Sequence, residues 1–149
     1  MNETKRDFTE LYGYSFEELR IGMSASLSRT VSEADILMFA GVSGDTNPVH
    51  LDAEFASSTM FGGRIAHGMF SAGLISAVFG TRLPGPGCIY LSQSLKFKAP
   101  VKIGQTVVAK VTLKELKTEK RRAVFATVCT CGDIVVLDGE AEIMIPAHA

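Results

Sequence analysis

A chain of 149 residues can bury a sizeable core as one domain, and its 46% hydrophobic and 21% charged residues are ordinary for a globular protein. The formal net charge of -1, without a basic block, leaves no electrostatic footprint for nucleic acid. No run approaches the roughly 18 uninterrupted apolar residues of a membrane span, and Met1 to Phe8 lacks the apolar stretch of a secretory signal.

Residues 1–22 read as a lead-in to a single domain over 1–149, with 146–149 as a tail. The lead-in carries a capping-box pattern, Ser15-Phe-Glu-Glu18, that marks a short helix. Met23 to Val31 alternates small polar and apolar residues and predicts a strand. Ser32-Glu-Ala-Asp35 supplies a capping residue and two acids for the first turn of a helix, which Gly41 to Gly44 close. A loop with Asp45, Asn47, Pro48 and His50 follows, then a short helix within Asp52 to Ser58 and a break at Phe61-Gly-Gly63. Ala66 to Phe79 is uncharged and apolar on nearly every side, which predicts a buried central helix. Its small residues Ala72, Gly73, Ser76 and Ala77 would let a sheet approach closely.

Beyond the turn-rich Leu83-Pro-Gly-Pro-Gly87, four strands are predicted: Ile89 to Lys98, Thr106 to Leu116, Arg122 to Cys131 and Ile134 to Ile145. Lys117 to Arg122 reads as a solvated turn between two of them. One strand, a helical insertion, a long helix and four strands give an α+β class, an antiparallel sheet wrapped around a central helix. Three cysteines, an odd number, build no disulfide framework. Cys129 and Cys131 share one strand face at a spacing wrong for a redox or zinc knuckle, so they read as buried, inert thiols of a cytoplasmic protein.

Asp45 and His50 are the obvious acid-base pair set in one loop, stiffened by Asn47 and Pro48, and their spacing can bring both side chains onto one water. Alone, that pair is equally explained by a turn cap and a satisfied histidine. Gly68 adds a second feature. It opens the central helix, whose first N–H groups lack intrahelical partners, and glycine lets a substrate oxygen approach the backbone. A developing negative charge is favoured there. His67 reads as structural. Ser71 and Ser76 are candidates to face the site from the helix, which packing explains equally well.

The stretch Phe39-Ala-Gly-Val-Ser-Gly-Asp-Thr-Asn-Pro-Val-His50, followed by Ala56, resembles the signature of the MaoC-like (R)-specific enoyl-CoA hydratases, the hydratase 2 group. Arg64-Ile-Ala-His-Gly-Met69, Leu83-Pro-Gly-Pro-Gly87 with Tyr90, Gln93-Ser-Leu-Lys-Phe97 and Pro100-Val-Lys-Ile-Gly104 extend the resemblance, in order, over most of residues 23–145. It implies a hot-dog fold and a homodimer with sheets joined edge to edge and sites at the interface. It further implies reversible hydration of a trans-2-enoyl-CoA to the (R)-3-hydroxyacyl-CoA. Asp45 and His50 would activate the water, Asn47 would support the site, and the Gly68 N–H would polarise the thioester carbonyl.

Neither metal nor cofactor is called for, because conjugate addition to a thioester needs only carbonyl polarisation and His148 falls in a frayed tail. The expected partner is an acyl-CoA thioester in preference to an acyl carrier protein, with no membrane and no nucleic acid. Arg64, Arg82, Lys96 and Lys98 are candidates for the carrier's phosphates, although solvated surface charge explains each one equally well. Leu74, Val78 and Phe79 are expected to shape the acyl slot. Two other functions fit the same fold: a thioesterase, attacking the carbonyl carbon, and a non-catalytic acyl-thioester-binding subunit.

Overall fold

The computed structural model describes residues 4–148, so the first three residues of the lead-in and the last of the tail lie outside it. Strand β1 (Ser24–Thr30) leads into helices α1 (Glu33–Ser43), α2 (Pro48–Leu51) and α3 (Ala53–Ser57), then the long helix α4 (Gly68–Thr81). Strands β2 (Ile89–Gln93), β3 (Lys96–Phe97), β4 (Thr106–Lys117), β5 (Arg122–Cys131) and β6 (Ile134–Met144) complete the chain. They form one antiparallel sheet in the order β1-β4-β5-β6-β2, with β3 also on β6. The sheet wraps α4 as in the hot-dog fold.

Alternation builds the inner face. Along β4, Val107, Ala109, Val111 and Leu113 are buried at every second position, and along β5 Phe125, Cys129 and Cys131 continue the layer. Leu74, Ile75, Val78 and Phe79 of α4 press into it, Phe79 meeting Phe125 edge-on at 5.0 Å. Each fully buried side chain of this size contributes about 1.5–3 kcal/mol. Burial pushes the Cys129 thiol up to about 12, with the neighbouring Cys131 adding to the effect, in keeping with an inert core thiol.

The segments expected from patterning are present, with instructive departures. The Ser32 box caps α1, Ser32 Oγ accepting the Asp35 N–H at 3.2 Å. The Ser15 pattern closes only a 3₁₀ turn, Phe16–Glu18, which drops Phe16 and Leu19 into the core. The Lys117–Arg122 turn is as read, but Arg121 is engaged by Glu17 at 2.5 Å and Arg122 faces Glu142. His148, expected in a frayed tail, stacks on Tyr12 at 3.6 Å.

The single strand expected over Ile89 to Lys98 is two. β2 and β3 keep a common register on β6, Gln93 opposite Ala141 and Lys96 opposite Asp138, yet the ladder breaks at Ser94 and Leu95. There the Ser94 carbonyl lies 1.8 Å from where a Cβ on Gly139 would stand, so the chain folds over the one β6 position that has no side chain.

Helix α4 is not covered all round, contrary to its apolar composition. Gly73 and Ser76 are exposed, and nothing lies within 4 Å of a Cβ built on Gly73. Gly73 and Ser76 therefore do not admit the sheet, whereas Ala72 packs on the core. Gly73 and Ser76 line, with Ala72, a shallow concavity of about 450 Å³ shared with Phe39, Tyr90 and Leu91. Among the described residues no helix is long and apolar enough to cross a membrane.

Candidate active site

The loop after α1 is stitched by its own short side chains. The Ser43 hydroxyl donates to the Phe39 carbonyl at 2.7 Å and accepts the Asp45 N–H at 3.1 Å. Asp45 Oδ1 accepts the Asn47 N–H at 3.3 Å, and Asn47 Oδ1 accepts the Val49 N–H at 3.1 Å. Asn47 is thus the cap of α2, with Pro48 in the first turn, where its fixed φ suits a helix start. Asn47 sets the start of α2, and α2 carries His50.

His50 is 7% exposed and is fixed from two sides. Its Nδ1–H donates to the Ile65 carbonyl at 2.7 Å. That bond puts a proton on Nδ1 and turns Nε2 toward Asp45. The His50 carbonyl accepts Arg64 Nε–H at 2.6 Å, and the same guanidinium grips Glu33 with both remaining nitrogens at 2.7 and 3.0 Å. Between Asp45 Oδ2 and His50 Nε2 the distance is 3.9 Å. That is too long for a direct hydrogen bond and right for one water about 2.8 Å from each.

Asp45 and His50 stand at a cavity of about 480 Å³ whose walls are apolar, among them Met60, Phe61, Phe97, Val136 and Leu137. Gly68 and Ser71 line the same space. Gly68 is the first residue of α4, and a Cβ there would lie 2.6 Å from the Phe97 ring. His67, just before it, is 2% exposed, stacks on the His50 ring at 3.9 Å, and donates from Nε2–H to the Asp45 carbonyl at 2.9 Å. An apolar slot is therefore lined by a carboxylate, an imidazole and a helix N-terminus.

The segments carrying these groups lie within residues 18–131, which match the MaoC like domain family. The chain belongs to the MaoC-like family. It is 57% identical to an (R)-specific enoyl-CoA hydratase from Rhodospirillum rubrum over 139 residues, 93% of this chain and 96% of the relative. It is 53% identical to a 3-hydroxybutyryl-CoA dehydratase from Methylorubrum extorquens, over 92% of this chain and 87% of that one. The solved (R)-hydratase of Aeromonas caviae, described as involved in PHA biosynthesis, superposes with a TM-score of 0.85 at 41% identity, covering 87% of this chain and 99% of its own. An unliganded R-hydratase from Pseudomonas aeruginosa gives 0.87 at 45% identity, with 93% and 89% covered.

In this MaoC-like chain the remaining candidates separate. Ser71 reaches the cavity, whereas Ser76 opens on the second concavity beside Phe39 and Tyr90 because it lies on the uncovered side of α4. Leu74, Val78 and Phe79, expected at the slot, are core residues packed on the sheet, and the slot is walled instead by Met60, Phe61 and the β3 and β6 side chains. Phe61-Gly-Gly63 read as punctuation only; an aromatic and a methionine in a glycine-rich loop beside the acid-base loop were the signal for that wall.

Of the cationic candidates, Arg64 is occupied by Glu33 and the His50 carbonyl. Arg82 stands at the C-cap of α4, about 20 Å along the helix from Gly68, and donates to the Ser26 carbonyl. Lys96 is exposed on β3, and Lys98, at the cavity wall, pairs with Asp138 at 3.0 Å. Asp45, His50 and His67 each offer a ligand atom within 4.8 Å of the others, which raises the question of a metal. The donor set does not fit one. The two imidazoles are stacked at 27°, so their in-plane lone pairs do not converge on one point.

Proposed function

We propose that this chain is an (R)-specific 2-enoyl-CoA hydratase, acting reversibly on 3-hydroxyacyl-CoA, and that Asp45 and His50 hold the water it adds. The observation that carries the reading is the 3.9 Å gap between Asp45 Oδ2 and His50 Nε2 with the tautomer of His50 set by the Ile65 carbonyl. His50 Nε2 takes one proton from the water, and Asp45 accepts a hydrogen bond from the O–H that remains. The water oxygen bonds to C3 and the C2–C3 π electrons move toward the thioester oxygen. That oxygen is received by the Gly68 N–H and the α4 N-terminus, a group worth ~10²–10³ in rate. The proton held by His50 then passes to C2, which leaves the imidazole neutral.

The relatives named for coenzyme A esters, at 57% and 53% identity, favour that carrier over the acyl carrier protein named for an Arabidopsis thaliana relative at 35%. The (R) outcome rests on the names of those relatives. We read the protein as a homodimer joined along β2. That reading is supported by the free edge of β2, by its exposed Ile89, Tyr90 and Leu91, and by the uncovered side of α4 next to it. Three free cysteines suit the reducing cytoplasm.

Incubation with crotonyl-CoA tests the reaction: enoyl absorbance is lost without release of free thiol, whereas a thioesterase would release thiol and a binding subunit would do neither. Asp45→Asn and His50→Gln should each lower the rate ~10²–10⁴-fold in folded protein. Rates near wild type for both would remove the pair from the mechanism.

A further inference from the structure

We propose that His67 is a positioning residue for the hydration step, one that clamps Asp45 through its backbone carbonyl and His50 through its ring; this rests on the Asp45–His50 reading above. The helix it precedes does not explain it. His67 is the N-cap of α4, yet its side chain makes no capping bond, where a serine, threonine or aspartate would. The core does not explain it either. Its ring is 2% exposed and its Nδ1 has no hydrogen-bond partner among the described residues, a burial penalty that a phenylalanine at the same place would avoid.

What the imidazole does make is a set of contacts aimed at the site. Its Nε2–H bond to the Asp45 carbonyl, 2.9 Å long, joins the loop after α1 to the start of α4 across 22 residues of chain. Its face lies 3.9 Å from the His50 ring on one contact and 4.7 Å from Phe39 on another. With Nδ1 of His50 already tied to Ile65, the stack fixes the plane in which the Nε2 lone pair points. The next residue is Gly68, so one side chain sets the carboxylate, the imidazole and the carbonyl-polarising N–H relative to one another. A misplacement of about 1 Å among such groups can cost on the order of 100-fold in rate.

Two substitutions divide the two contacts. His67→Phe keeps an aromatic face and removes both the donor and the orphaned nitrogen. His67→Gln loses the stack and keeps an amide N–H that reaches as far as Nε2. With crotonyl-CoA, His67→Phe should match or exceed the wild-type melting temperature while kcat falls at least tenfold and KM stays within twofold. His67→Gln should recover at least threefold of that loss in kcat. A His67→Phe enzyme with kcat within threefold of wild type overturns the proposal and makes His67 a core filler. Should that variant fail to fold, His67→Gln is compared with His67→Leu at matched melting temperature. A glutamine variant at least tenfold faster supports the clamp, and any smaller advantage overturns it. Asp45→Asn run in parallel separates the two levels. If it loses activity while His67→Phe keeps it, only the clamp fails; if it keeps activity, the site reading fails as well.

Discussion

Replacing Gly68 by alanine is the sharpest single perturbation of this site. The added Cβ would stand 2.6 Å from Cε1 and 2.7 Å from Cδ1 of Phe97. Carbon atoms rest at about 3.5 Å or more, so ring and helix start must separate by about 0.9 Å. Overpacking of that size costs about 1–3 kcal/mol, which in a domain of this length lowers the melting temperature by about 2–12 °C. The larger effect falls on catalysis. If α4 yields, the Gly68 N–H leaves the position proposed to receive the thioester oxygen; if Phe97 yields, it moves within the cavity it lines. Either way kcat/KM for crotonyl-CoA should fall about 10²-fold. The double variant Gly68→Ala/Phe97→Ala relieves the clash and should return at least tenfold of the loss in kcat. Steady-state loss of enoyl absorbance, read beside a thermal melt, measures both quantities. A Gly68→Ala enzyme within threefold of wild type would refute the reasoning, since it would place the reacting oxygen elsewhere.

Arg64→Lys cannot hold Glu33 and the His50 carbonyl together, so kcat should drop by on the order of tenfold with KM little changed. A raised, salt-dependent KM at constant kcat would instead make Arg64 a phosphate ligand. The Arg29 guanidinium, with help from the Ser32 N–H, holds the buried Asp35 carboxyl below the usual carboxylate range. A depressed folded pKa contributes stability above the unfolded value of about 3.9 and loses it as pH falls through the folded value. Asp35→Asn should therefore cost toward the lower end of ~1.5–3 kcal/mol at neutral pH, Arg29 being half exposed. The gap to wild type in urea melts should close below about pH 4, and a gap unchanged by pH would contradict the assignment. Leu91→Asp sets a carboxylate on the β2 edge. It should raise the dissociation constant of the proposed dimer by at least ~100-fold in sedimentation, because an unpaired buried charge costs several kcal/mol. An unaltered dimer would move the interface away from β2.

Local rules made much of the fold readable. Ser32 with Asp35 marks a helix start through bonds that span only three residues, and Val107 to Leu113 carry the sheet's inner face in their alternation. The break in the β2–β3 segment was hidden because its cause, Gly139, lies 45 residues beyond Ser94. Helix α4 showed that it was apolar but not which side would stay open, since hydropathy reports transfer from water and not the neighbour that replaces it. At the site, Asp45, His50 and Gly68 stood out by type and spacing. Arg64 looked like free surface charge because Glu33, its partner, is 31 residues upstream. The contacts His67 makes depend on ring orientation, which no periodicity encodes.

The two oxygens of Asp45 lead separate lives. Oδ1 closes the turn onto the Asn47 N–H, and Oδ2 faces His50 across the water-sized gap. In the proposed mechanism one carboxylate is thereby both a hinge pin and a reagent, and its short stem makes that possible. Glutamate keeps the charge but carries the head group one methylene outward, so it must let go either of the turn or of the water. At this position the length of the side chain is as strict a requirement as its acidity.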